Sequence, residues 1–138
     1  MFELLTVLAI GAILVAVAVP GVVSVRRAFA GHAAAVRLAL VLRSAQARAQ
    51  SGAAVVCVSV RPDGRYDVRE VATDGSTRVT SGDLGADVST NYPGGSVEFG
   101  LRGWPSLPGA SSPRAGTFRI AGGRHAVVLQ LAGCIRCT

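Results

Sequence analysis

Phe2-Glu3-Leu4-Leu5-Thr6-Val7-Leu8-Ala9-Ile10-Gly11 heads an apolar run that passes through Ala18-Val19-Pro20-Gly21 and ends at Val25. No side chain from Leu4 to Val25 is charged, and the run is long enough to cross a bilayer as a helix. Arg26 and Arg27 follow at once and set a stop on the cytoplasmic or interfacial side. A secretory signal peptide needs a basic region ahead of its apolar core, and no Lys or Arg precedes Arg26. A plain membrane anchor explains the length but not Glu3, because an ionisable group beside a bilayer is costly and usually has a partner. Pro20 removes a backbone hydrogen bond and predicts a kink or local opening.

Beyond Arg26 the helix is predicted to continue to about Gln50, with Gly31 as its only breaker. At roughly 100° per residue, Val22, Phe29, Val36 and Leu40 form one apolar stripe, and Leu38, Val41, Leu42 and Ala45 form a second. Arg26, Arg37 and Arg48 run between them. A helix lying on one sheet needs a single stripe. The second is read as a face for neighbouring molecules, against the alternative of a helix sunk deep in its own domain.

Gly52 is placed to end the helix. Strands are predicted over 53–60, 66–71, 77–80, 97–99, 117–121 and 125–131, with a last short strand after Gly133. Residues 81–95 and 103–113 read as irregular, and Arg61-Pro62-Asp63-Gly64-Arg65 and Gly122-Gly123 as turns. The expected fold class is α+β: a long N-terminal helix, hydrophobic in its first half, packed on a small antiparallel sheet. The expected division is 1–25 for the membrane or assembly half of the helix, 26–51 for its amphipathic half and 52–138 for the β domain.

Composition narrows the function. Half of the 138 residues are hydrophobic but only 5% are aromatic, so one small core of Ala, Val and Leu is what the chain can build. The net charge is +6 and every cation is Arg, which suits phosphate, anionic lipid or acidic protein, or solubility alone. The acids mostly fall at turns, and no carboxylate pair has a spacing that suggests acid–base work. There is no phosphate-cradling Gly loop followed by Lys and no nucleophile elbow. His32 has no His, Cys or acid near it in sequence, and His125 alternates with apolar residues on a strand. No metal, cofactor or catalytic residue is expected.

Glu3, the apolar run and the Ala18-Val19-Pro20 step together resemble the N-terminal signature of type IV pilins and pseudopilins. The resemblance implies a subunit held in the inner membrane by a single span, with its C-terminal domain periplasmic, and later extracted into a surface filament. It implies as partners other pilin or pseudopilin subunits, an inner-membrane assembly platform and a prepilin peptidase acting on the precursor. Glu3 and Pro20 are then assembly residues, Glu3 pairing with a neighbour's N-terminal amine. Phe29, Val36, Leu40, Leu38 and Leu42 are helix-packing residues. Met1 falls just inside the family's mature chain, so a basic leader is expected upstream.

More weakly, Arg43-Ser44-Ala45-Gln46-Ala47-Arg48, Val55-Val56-Cys57-Val58, Gly116-Thr117-Phe118 and Gly133-Cys134-Ile135-Arg136 resemble, in that order, H-type minor pseudopilins of type II secretion and T-type minor pilins. Some T-type minor pilins contact DNA in competence through Gly-Arg-x-Arg. Here Gly133 to Arg136 match without the first Arg, which leaves Arg119, Arg124 and Arg136 as candidate DNA contacts.

Cys57, Cys134 and Cys137 are too few for a disulfide scaffold and one short of a four-thiolate zinc site. A Cys134–Cys137 and a Cys57-to-tail disulfide stand as equal expectations. The alternatives of a DNA-binding competence pilin and of an ordinary signal-anchored envelope protein stay open, as does the choice between pilus and secretion system.

Overall fold

The computed structural model describes the backbone of residues 2–52 and 54–138, and the side chains of these apart from 2–5, 15–24, 27 and 54. Among the described residues a long helix, α1 (Phe2–Gln50), precedes the strands β1 (Ala54–Val60), β2 (Arg65–Ala72), β3 (Thr77–Asp83), β4 (Val88–Thr90), β5 (Ser96–Phe99), β6 (Pro105–Ser106), β7 (Gly116–Ile120), β8 (His125–Leu129) and β9 (Ile135–Cys137), with a single 3-10 turn at Pro93–Gly95. The chain forms two compact units, Met1–Ala30 and Gly31–Thr138.

In the first unit the described apolar side chains point all round the helix. Val7, Leu8, Ile10, Ile13 and Leu14 are each more than half exposed. At 100° per residue they cover several faces, the pattern of a helix meant for lipid or a helical bundle.

In the second unit α1 is amphipathic, with Ala34, Ala35, Leu38, Leu42, Ala45 and Ala49 all at 3% exposure or less. Alanines between the leucines let the sheets come close to the helix axis. The helix stops where a glycine can turn left-handed: Gly52 has φ 86°, its N–H bonds Ala49 O, and the Ser51 hydroxyl caps Arg48 O.

The strands form two antiparallel sheets rather than one, a five-stranded sheet in the order β3-β2-β1-β5-β6 and a four-stranded one in the order β4-β7-β8-β9. Val56, Val58, Val97 and Phe99 of the first and Phe118, Ile120, Val127 and Leu129 of the second are fully buried. Tyr92 lies against Phe118 at 5.5 Å between ring centres.

Several boundaries differ from expectation. The 81–95 stretch, read as irregular, holds the end of β3 and all of β4, and the 103–113 loop holds β6. These segments are polar and short, so they carry little periodic signal. They are strands because β2, β7 and β5 offer them hydrogen-bonding edges.

Candidate functional site

Glu3 and Pro20 lie outside the residues whose side chains are described. The other helix-packing positions separate cleanly. Leu38 and Leu42 are at 0% exposure in the core, whereas Val36 and Leu40 are 39% and 57% exposed on the other side of the same helix. Phe29, in the first unit, is 71% exposed. Ala28–Gln50 is apolar enough to cross a membrane by composition, but its buried leucines and alanines serve the domain core.

Arg119 and Arg136 are exposed and share the outer face of the four-stranded sheet. Arg119 sits between Ser89 and Ala126, and Arg136 sits opposite Val128, itself opposite Thr117. Asp87 lies at the corner of this face, two residues before Ser89. Arg124 is at the β7–β8 turn and exposed. Three ion pairs occur among the described residues, Arg48–Glu70, Arg61–Asp67 and Arg65–Asp63, and none involves these three arginines.

Cys57, Cys134 and Cys137 stand unpaired in the structure, Cys57 half-buried and the other two exposed. Gln130 N–H bonds Cys134 O at 2.9 Å, which carries the β8–β9 register one residue ahead of β9, to Cys134. Side chains three apart on a strand point to opposite faces, with Cα atoms ~10 Å apart, beyond the ~7 Å limit for a disulfide. Cys57 lies on the outer face of β1, between the buried Val56 and Val58, while Cys137 Sγ sits 3.7 Å from Ala35 O of the helix. The core therefore separates Cys57 from Cys137. Burial raises the Cys57 thiol pKa, first by desolvation, so this half-buried group is a poor nucleophile.

His32 does have a histidine near it, contrary to its sequence neighbourhood: the His32 and His125 rings lie 5.6 Å apart, edge to face. Gly31 allows this, since a Cβ there would stand 3.0 Å from both Ala121 Cβ and His125 Cδ2. Among the described residues no three His, Cys, Asp or Glu side chains gather as a metal site. A cleft of ≈ 710 Å³ is lined by Ser59, Arg61, Asp67, Ser89 and Tyr92 among others. Its carboxylate, Asp67, is held below the usual range by a hydrogen bond from Ser81 and by Arg61, which suits an ion pair more than a proton donor.

Sequence reading missed Gln46. Its side-chain amide donates to Gly103 O at 2.7 Å and Gly133 O at 2.8 Å, tying two distant loops to the helix. The pairing of an amide on the buried edge of a helix with two loop glycines was visible only as separate residues.

A long helix whose second half is covered on one side by antiparallel sheets matches the type IV minor pilin FimU of Pseudomonas aeruginosa. The TM-score is 0.57 at 18% identity, over 78% of this chain and 91% of that one. The fold is that of a type IV pilin. No protein-family model matches the chain, and no curated protein sequence does. The α+β arrangement expected from one long helix followed by short strands is present, and the exposed helix stripe lies where the sheets leave the helix uncovered.

Proposed function

We propose that the chain is a minor pilin or pseudopilin, a non-enzymatic filament subunit that assembles through α1. The observation carrying this reading is the two-sided helix on a pilin fold: Leu38 and Leu42 face the protein's own sheets, while Val36 and Leu40 remain exposed. Exposed apolar side chains at this spacing on a helix call for another helix. The Leu4–Val25 run holds the subunit in the inner membrane before assembly, with the β domain on the extracytoplasmic side. Glu3 there neutralises a neighbour's N-terminal amine. An assembly platform and a prepilin peptidase are the partners this life cycle needs.

Glu3→Ala tests the reading. Membrane fractionation should show unchanged insertion, and sheared-filament fractions should lose the subunit; normal incorporation would remove Glu3 from assembly and favour a plain envelope anchor. Whether the filament belongs to a pilus or to type II secretion would follow from which machinery co-purifies with the assembled subunit.

A second reading, as a DNA-contacting minor pilin, is favoured by one observation. Arg119 and Arg136, distant in sequence, share a sheet face and have no carboxylate partner among the described residues. Arginine–phosphate contacts would make binding fall steeply with salt. Gel shifts at two salt concentrations, with Arg136→Ala as control, should show salt-sensitive binding weakened by the substitution; absence of binding at low salt ends this reading.

A further inference from the structure

The loops at the end of the β domain where α1 finishes are apolar on the outside. Leu101 is 69% exposed, Trp104 40% and Leu131 56%. Leu101 and Trp104 lie in the β5–β6 loop and line one pocket of ≈ 200 Å³ with Arg102. Leu131 lies in the β8–β9 loop, and Gln46 bonds both loops through Gly103 O and Gly133 O. The two loops also touch directly, since a Cβ on Gly133 would stand 2.7 Å from Gly103 O. The exposed leucines and the tryptophan thus sit on one braced platform.

Charge decides what fits this platform. Residues 99–138 carry five arginines and no acid, and residues 31–50 carry three arginines and no acid. The Arg102 guanidinium lies 5.1 Å over the Trp104 ring and has no carboxylate partner among the described residues. Glu98 lines the same pocket, but its carboxylate accepts the Gly109 N–H at 3.2 Å. A tryptophan flanked by leucine and arginine, where arginines outnumber the one carboxylate, has the chemistry of a side-chain set that enters a headgroup layer. Another copy of this cationic chain would bring like charge to the same place.

We propose that the Leu101–Trp104 loop and Leu131 form a docking surface for an anionic lipid bilayer, distinct from the membrane that holds α1. Leucines and indole bury among the upper acyl chains while Arg102 meets lipid phosphate. The surface is independent of how α1 assembles, so it can hold or fail whatever the fate of the filament reading.

Trp104 is the single tryptophan of the chain, which makes its fluorescence a report on this loop alone. The full chain, held in zwitterionic nanodiscs, would be titrated with separate vesicles of phosphatidylglycerol and phosphatidylcholine, with brominated acyl chains in a parallel series. Blue-shifted emission and bromine quenching are expected with the anionic vesicles, reduced by high salt. Leu101→Ser and Leu131→Ser, both at exposed positions that folding tolerates, should each weaken partitioning about tenfold, and Arg102→Gln should reduce the salt dependence. Unchanged emission with anionic vesicles overturns the proposal. So does a blue shift that follows protein concentration without vesicles, which would assign the surface to a second copy.

Discussion

At the residue scale, single side chains hold elements that sequence spacing does not connect. Gln46 is the clearest, because its two N–H groups satisfy two loop carbonyls. Gln46→Leu leaves both without a donor and should lower stability by ~1–3 kcal/mol, read as a shift in urea midpoint with unchanged slope. Tyr92 gives a pH signature. Burial pushes its phenol from 10 up to about 12, and its hydroxyl donates to Arg114 O at 2.8 Å. The folded state therefore keeps the proton that the unfolded chain gives up. Its contribution is fully present below pH 10 and is lost as pH rises toward 12. Urea unfolding across pH 9–12 should show this decline, and Tyr92→Phe should flatten it. Among the thiols, the exposed Cys134 and Cys137 should take up maleimide ahead of half-buried Cys57, by peptide mass mapping.

At the element scale the helix decides most. Its two apolar stripes were legible from 3.6-residue spacing, and the structure puts them in different surroundings: Leu38, Leu42 and Ala45 inside, Val36 and Leu40 outside. Leu42→Ala should therefore cost ~2–5 kcal/mol by opening a cavity in the core. Leu40→Ala should leave the melting curve within ~0.5 kcal/mol of the parent while reducing filament incorporation. Equal stability effects for the two would mean that the helix is buried on both sides. The long strands β1, β2 and β7 were legible from β-branched runs between turn residues. β4 and β6 were not, since a segment of two or three residues becomes a strand only when an edge is there to receive it. The candidate DNA face was legible residue by residue, but that Arg119 and Arg136 share a sheet side depended on the β7–β8–β9 register.

At the scale of the whole molecule, the hydrophobic core formed by the described residues runs from Ala34 to Ile135, inside the Gly31–Thr138 unit. A chain beginning at Gly31 should fold alone and unfold in one cooperative transition, checked by circular dichroism in urea; a non-cooperative melt would mean that the earlier residues contribute to the core. The sequence by itself determined that the chain begins with a long apolar helix headed by an acid, that the helix turns amphipathic after Arg26, and that short strands follow. These follow from local periodicity and from the cost of placing charge beside lipid, which neighbouring residues alone reveal. Only the tertiary structure decided that the strands split into two sheets, that the cysteines stay apart, that His32 meets His125, and that Gln46 braces a tryptophan loop. Each of these joins residues separated by tens of positions. Such meetings depend on register and packing around the core, which no local pattern carries.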